Sequence, residues 1–179
     1  MKKNLFRVLS LAMAFLCLST AHAQETKAVS IIPQPQKLEA KGGEYLLPEK
    51  VVIGYDASFK AQAEYLQEML ARSTGRVAVR KEGKTKGSIV LQKDTVAVAV
   101  AEAYTLSVTP KCARIVASDA NGAFYGIQSL LQLFPAEIYS ASWQRSTEWK
   151  APCVEIYDAP ERPWRGLMMD VARYFYDKE

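Results

Sequence analysis

The sequence predicts an α+β fold, in which a mixed sheet carries two helices on one face. Two segments, within residues 61–70 and 119–135, repeat apolar residues at helical spacing, and short strand-like segments with turn residues between them fill the rest of the domain. About 130 residues are enough for such a domain to bury a hydrophobic core unaided. A third feature, an apolar run at 166–169, predicts the beginning of a second domain.

The first 23 residues have the features of a secretory signal peptide. Three basic residues precede an apolar stretch at 8–18, and Ala21-His22-Ala23 matches a cleavage site. The apolar stretch is too short to remain in a bilayer as a spanning helix. We therefore expect export to the periplasm or the extracellular space, and no stable membrane span.

Charge and histidine content exclude several classes of function. The net charge of +4 includes the three basic residues of segment 1–23, which has no acidic residue, so +1 remains for residues 24–179. This balance gives no support to nucleic-acid binding. The one histidine, His22, lies inside the predicted signal peptide, so the mature chain has no imidazole for a Ser-His-Asp triad, a Cys-His pair or a histidine-bearing zinc site. We expect neither a metal nor another cofactor.

The first half of the domain is predicted as strand, strand, helix. Two prolines keep residues 31–39 extended, Gly42-Gly43 forms a turn, and short strands follow at 44–47 and 51–53. Asp56 or Ser58 caps the first helix, which Gly75 ends. Its apolar side is expected to pack in the core and consists of Ala61, Tyr65, Leu66, Met69 and Leu70.

Four further strands are predicted at 77–79, 88–91, 104–108 and 114–117, with a charged turn at 81–87. Residues 96–103 are apolar and rich in alanine, and they fit a strand and a helical turn equally well. The second helix begins at Asp119 or Asn121 and ends at Pro135. A glycine within a helix costs about 1 kcal/mol relative to alanine, so Gly126 indicates a close approach to a neighbouring element.

The last part of the domain is a polar loop followed by one strand. Trp143 and Trp149 in this loop could stack on a sugar, but we expect both to be partly buried anchors of the loop. The strand is predicted at 154–157. Cys112 and Cys153 could form one disulfide, although each also suits a small buried position in a strand, which we favour.

The segment 158–179 has the features of a chain that leaves one domain and begins another. Asp158, Pro160 and Pro163 interrupt regular structure, and the apolar residues of 166–169 then run without alternation up to Asp170. An uninterrupted apolar run between turn residues is typical of a strand buried on both faces of a parallel sheet.

Three motifs resemble glycoside hydrolase family 20, the β-N-acetylhexosaminidases. W-R-G-L-M-M-D-V-A-R at 164–173 resembles the opening barrel strand of that family, whose pattern is roughly R-G-x-x-L-D-x-x-R-H. Met169 replaces the leucine of this pattern, and Tyr174 replaces the histidine. I-P-Q-P-Q-K-L-E at 32–39 and the helix motif at 122–133 resemble the non-catalytic domain that precedes the barrel.

The resemblance implies a fold and a division of the chain. Residues 24–157 would form the accessory domain, a largely antiparallel sheet backed by two helices. Residues 158–179 would begin a catalytic (β/α)₈ barrel, of which the chain holds only the first strand.

The resemblance also implies an activity. Enzymes of this family release terminal N-acetylhexosamine from the non-reducing ends of glycans with retention of configuration, and the 2-acetamido group of the substrate is the nucleophile. The catalytic Asp-Glu pair would lie after Glu179, so no catalytic residue is assigned and the chain alone is expected to be inactive. Arg165 matches the arginine that binds sugar hydroxyls; alternatively, it pairs with Asp158 or Asp170.

Two other functions compete with this interpretation. One is a non-catalytic module that binds glycans or acts as a scaffold, although such a module has no need of a barrel-entry motif. The other is the front end of a family 84 enzyme that resembles O-GlcNAcases, whose entry reads R-G-x-x-E-G-F-Y-G. Here Arg165-Gly166 is followed by Leu167-Met168-Met169-Asp170, which fits family 20 better.

Overall fold

The computed structural model describes residues 29–83 and 86–168. The predicted signal peptide, with His22, therefore lies outside the described residues, as do Met169, Asp170 and the positions that follow them. Within the described part, seven strands form one sheet and two helices connect them: β1 Lys37–Leu46, β2 Lys50–Tyr55, α1 Lys60–Thr74, β3 Val77–Glu82, β4 Ile89–Lys93, β5 Tyr104–Thr109, β6 Cys112–Ala117, α2 Ala120–Leu133 and β7 Lys150–Asp158.

The sheet is mixed, with the strand order β1-β7-β5-β6-β4-β2-β3. The half β1-β7-β5-β6 is antiparallel, and the half β6-β4-β2-β3 is parallel. The α+β class and the mixed sheet are thus confirmed, while the antiparallel arrangement is restricted to one half. The parallel pairing of β2 with β3 follows from α1, because a helix between these two strands carries the chain back to the same end of the sheet.

Both helices cover the same face of the sheet, as predicted. Helix α1 packs against β2 and β3, α2 packs against β5 and β6, and the two helices also contact each other. The core lies between the helices and the sheet, and its largest fully buried side chains include Phe59, Leu66, Ile115 and Leu130.

The first helix differs from the prediction at its beginning. Asp56 caps a short 3₁₀ turn, Ala57–Phe59, where its carboxylate accepts from the backbone N–H of Ser58 at 3.0 Å. Helix α1 then starts at Lys60 without a side-chain cap, and Gly75 ends it at φ 64°, as expected for this residue. The buried face contains Leu66, Met69 and Leu70 as predicted, with Ala63 in place of Ala61.

The second helix is the best-predicted element. Asp119 caps it, since its carboxylate accepts from the backbone N–H of Gly122 at 2.9 Å. A Cβ at Gly126 would lie 2.7 Å from the Cγ2 atom of Ile115 and 3.1 Å from the ring of Tyr104, so the predicted close approach is present. The side chain of Phe124 on this helix faces outwards and is 37% exposed.

The structure decides two local predictions. The predicted turn at Gly42-Gly43 is wrong, because these residues form a bulge within one long strand, β1, whose pairing with β7 resumes on both sides of them. Residues 96–103 form turns, in which Asp94 accepts from the backbone N–H groups of Val96 and Ala97, both at 2.9 Å.

The tryptophans and cysteines hold structural positions. Trp149 is buried, and Trp143 is half-exposed with its ring against Gly75 and the guanidinium carbon of Arg145 4.6 Å from the ring centroid. Cys112 on β6 and Cys153 on β7 are unpaired, and β5 runs between their strands. Burial raises the pKa of both thiols, which suits small packing residues.

The chain leaves the sheet at the end of β7. Residues 159–168 form neither strand nor helix, and Trp164, Leu167 and Met168 are more than 80% exposed. The described part of the predicted barrel strand, residues 166–168, is therefore not paired with the first sheet, and the barrel itself stays a prediction. No helix in the described ranges is long and apolar enough to cross a membrane.

Candidate functional site

A cleft of about 1030 Å³ lies where the chain enters and leaves the domain. Its walls are the segment 31–36, the outer side of α2 and the segment 158–165. Side chains that reach it from these three elements and from the loop before β5 include Gln36, Glu102, Phe124, Tyr125, Gln128, Gln132, Asp158, Glu161 and Arg165.

Hydrogen bonds fix the two segments that border the cleft. The Gln132 side chain accepts from the backbone N–H of Ile32 at 2.9 Å and donates to its carbonyl at 3.0 Å. The backbone N–H of Gln36 donates to the Asp158 carboxylate at 3.2 Å, and its side-chain amide donates to the carbonyl of Ala159 at 2.8 Å. The entry and exit segments are therefore tied to α2 and to each other.

A buried hydroxyl pair forms the floor of the cleft. Tyr104 on β5 and Ser129 on α2 are both buried, and their hydroxyl oxygens are 2.6 Å apart. Burial raises the pKa of Tyr104 to about 12, so the phenol stays protonated at neutral pH. This pair joins the helix to the sheet beneath the cleft.

Arg165 lies at the mouth of the cleft and is held by several contacts. Its guanidinium forms an ion pair with Glu102, and the same nitrogen donates to the Tyr125 hydroxyl at 3.3 Å. The other terminal nitrogen donates to the carbonyl of Arg162 at 2.9 Å. The side chain remains 46% exposed. The alternative pairing with Asp158 is thus not the one formed, and Asp170 lies outside the described residues.

Glu102 is a site residue that sequence reasoning missed. It is the one described non-glycine residue with a left-handed backbone, at φ 61°, and its N–H donates to the Asp119 carboxylate at 2.7 Å. Asn121 donates to the second carboxylate oxygen of Glu102 at 3.2 Å. The hydrogen bond from Arg165 is the main cause of the lowered pKa of Glu102, so this carboxylate is ionised at neutral pH.

Asp119 connects the cluster to the fold. Burial acts to raise the pKa of its carboxyl group, but the backbone N–H groups of Gly122 and Glu102 outweigh this effect and the pKa is lowered. One carboxylate therefore caps α2 and also fixes the backbone of Glu102. The sequence indicated the first of these two roles through the position of Asp119 before the helix.

The cleft is equipped for polar recognition. A guanidinium, a carboxylate and a phenol converge on it, whereas no group of three or more His, Cys, Asp or Glu residues in the described ranges is placed to hold a metal ion. Convergent polar groups in a concave site are typical of ligand binding.

Comparison with known proteins assigns the family. The family model for glycosyl hydrolase family 20, domain 2, matches residues 28–159. The chain belongs to glycosyl hydrolase family 20. A β-hexosaminidase of Porphyromonas gingivalis (strain ATCC BAA-308 / W83) is 32% identical over 157 residues, which cover 86% of this chain and 20% of that protein. The N,N'-diacetylchitobiase of Vibrio harveyi is 29% identical over 88% of this chain and 16% of its own length.

Solved structures of the family share the fold of this domain. Streptomyces plicatus N-acetyl-beta-hexosaminidase in complex with Thio-NAglucal superimposes with a TM-score of 0.72 at 30% sequence identity, over 82% of this chain and 29% of that chain. The chain thus spans less than a third of the length of each of these three proteins. The resemblance inferred from the three motifs is confirmed, while the role of Arg165 stays a prediction.

Proposed function

We propose that this family 20 domain is part of an exported β-N-acetylhexosaminidase, which releases terminal N-acetylhexosamine from the non-reducing ends of glycans. The observation that carries the proposal is the family match over residues 28–159. The names of the relatives support it, since they include β-hexosaminidases and a chitobiase. Export rests on the signal-like segment 1–23 of the sequence.

The reaction would be a retaining hydrolysis assisted by the substrate. The carbonyl oxygen of the 2-acetamido group attacks the anomeric carbon while an acid protonates the leaving oxygen. Water then opens the resulting ring by attacking the anomeric carbon from the face that the leaving group vacated. Two steps with inversion restore the original configuration. The acid and the group that orients the acetamide are expected beyond Glu179, so the 179-residue chain should be inactive alone.

Arg165 would hold the terminal sugar in this reaction. A guanidinium is planar, carries several N–H donors and does not titrate, so it can fix sugar hydroxyls at any physiological pH. The exposed position of Arg165 at the mouth of the cleft supports this role.

The test is hydrolysis of 4-nitrophenyl N-acetyl-β-glucosaminide by the protein as its gene encodes it, compared with the 179-residue chain. The encoded protein should release 4-nitrophenol and the chain alone should not. In the active protein, Arg165→Ala should lower kcat/KM roughly thirtyfold. This corresponds to a loss of about 2 kcal/mol of transition-state stabilisation, as for a lost charged hydrogen bond. Glu155→Gln, on the exposed face of the sheet, is the control and should leave kcat/KM unchanged. Turnover by the purified chain, or an unaffected Arg165→Ala variant, would contradict the proposal.

A further inference from the structure

Asn121 and Gly122 form a pair with a specific chemical reactivity. An asparagine followed by glycine can cyclise, because the backbone nitrogen of the glycine can attack the side-chain carbonyl carbon and displace ammonia. Glycine favours this step, since it has no side chain to hinder the attack or to restrict the backbone. Asn121 is exposed to solvent, and it is the one asparagine in residues 24–179 of the sequence.

The reaction balances with water as its co-reactant. The Gly122 nitrogen loses its proton and forms a bond to Cγ of Asn121, while the bond from Cγ to Nδ2 breaks and the side-chain nitrogen leaves as ammonia. Water then opens the cyclic imide at either of its carbonyl groups. One route gives aspartate. The other gives isoaspartate, in which the main chain runs through Cβ and Cγ of the former side chain.

Packing requires the glycine that makes Asn121 reactive. A Cβ added at Gly122 would meet the backbone of Glu102 and of Ala103. A larger residue would therefore push the start of α2 away from the loop before β5. The reactive glycine is thus part of the close contact between the helix and this loop.

The folded first turn of α2 blocks the reaction. The nucleophile is held, because the Gly122 N–H donates to the Asp119 carboxylate at 2.9 Å. The electrophile is held as well, because the Asn121 amide donates to Glu102 at 3.2 Å. Both residues of the pair lie inside the helix, where the backbone dihedrals keep the Gly122 nitrogen away from Cγ of Asn121. Ring closure therefore requires this turn to open, and helix ends open at a lower free-energy cost than a whole domain.

The products would destabilise the turn that protects the site. Isoaspartate lengthens the main chain by one carbon, so the Gly122 N–H no longer meets Asp119. Either product also replaces the amide donor by a carboxylate beside the carboxylate of Glu102, and like charges this close repel each other. The reaction would therefore leave α2 with a weakened first turn.

We infer that Asn121 is a site of covalent self-modification, which deamidates through Gly122 when the first turn of α2 opens. The Asp119 carboxylate, which caps this turn, then controls the rate in the folded protein. The inference is independent of the proposed function, because it involves no ligand and no residue outside this domain.

The experiment follows deamidation of the 179-residue chain in neutral buffer by mass spectrometry of the tryptic peptide 115–145. Chromatography separates the aspartyl and isoaspartyl forms of this peptide from the unmodified one. The folded chain should deamidate more slowly than the same chain unfolded in urea, by on the order of tenfold or more. This slowing should be at least as large as the protection of the Gly122 N–H against hydrogen exchange, because the same hydrogen bond must break in both processes.

Two variants locate the opening that controls the rate. Asp119→Ala removes the cap and should speed deamidation of the folded chain by about tenfold or more, as expected for a lost helix cap. Asp56→Ala is the matched control, since it removes the carboxylate that accepts from the Ser58 N–H at 3.0 Å before α1, and it should deamidate at the wild-type rate. Each variant is also measured unfolded in urea, which corrects for any change in the intrinsic reactivity of the pair.

Several results would overturn the inference. One is a folded chain that deamidates as fast as the unfolded chain, and another is an Asp119→Ala variant that deamidates at the wild-type rate. Equal acceleration by Asp119→Ala and Asp56→Ala would also overturn it, because the reaction would then require unfolding of the whole domain. The comparison with hydrogen exchange uses the wild-type chain, so it decides the question even if Asp119→Ala fails to fold: slowing smaller than the protection of the Gly122 N–H would contradict the blocked turn.

Discussion

Gly122 is a position at which a single added methyl group should destabilise the fold strongly. It lies in the first turn of α2, where an added Cβ would be 3.0 Å from the carbonyl carbon of Glu102 and 3.1 Å from that of Ala103, with the carbonyl oxygen of Ala103 closer still. These neighbours are backbone atoms, so they cannot rotate away as a side chain can. Gly122→Ala must therefore displace the start of α2 or the loop that carries Glu102.

The cost can be worked out from three effects. Forcing an extra methyl group into a packed site costs about 1 to 3 kcal/mol, and disturbing the hydrogen bond from the Glu102 N–H to Asp119 costs about another 1 to 2 kcal/mol. The higher helix propensity of alanine offsets about 1 kcal/mol of this destabilisation. The free energy of unfolding should therefore fall by about 2 kcal/mol.

Urea denaturation of the 179-residue chain measures this loss, with tryptophan fluorescence as the signal, because the buried Trp149 becomes exposed on unfolding. With an m-value of about 2 kcal/mol per M, the midpoint should fall by about 1 M. Gly42→Ala is the control, because a Cβ there meets no atom within 4 Å, and it should lie within about 0.5 kcal/mol of the wild type. A Gly122→Ala variant as stable as Gly42→Ala would refute the close contact.

Three further predictions concern the helix cap, the buried hydroxyl pair and the N-terminus. Asp119→Ala should cost about 2 kcal/mol in urea denaturation, because α2 loses its cap and the Glu102 N–H loses its acceptor. The folded pKa of Asp119 lies below its ordinary value of 3.8. The difference in free energy of unfolding between the wild type and this variant should therefore be largest above pH 3.8 and should shrink as the pH falls through the folded pKa. A difference that does not change with pH would contradict the assignment. Tyr104→Phe should cost about 1 kcal/mol by leaving the Ser129 hydroxyl unpaired, and adding Ser129→Ala should recover part of that loss. Mass spectrometry of the exported protein should show a mature N-terminus at Gln24, and an N-terminus elsewhere would move the predicted cleavage site.

Elements governed by neighbouring residues were predictable. Helix α2, its Asp119 cap and the close approach at Gly126 each follow from spacing within about a dozen residues. The same holds for the end of α1, because a glycine in the left-handed region is the usual way to end a helix.

Features that depend on distant pairing were not predictable. The bulge at Gly42-Gly43 exists because β7, about a hundred residues later, pairs on both sides of it. The parallel half of the sheet likewise depends on which strands meet, and no local pattern specifies that.

The residues of the candidate site differ in the same way in how predictable they were. Arg165 could be predicted because it lies within a recognisable sequence motif. Glu102 lies in a stretch whose local pattern fits two structures equally well, and its position comes from the Asp119 side chain 17 residues further on. Sequence reasoning could find the arginine and not the carboxylate that it meets.

The central claim is that this domain belongs to an enzyme that hydrolyses N-acetylhexosaminides with retention through the acetamido group of the substrate. The most direct measurement follows the anomeric proton of newly released N-acetylglucosamine by NMR, during the first minutes of hydrolysis of a β-glycoside by the encoded protein. The β-anomer should appear first, and the α-anomer should form later by mutarotation. Initial release of the α-anomer, or no release at all, would contradict it.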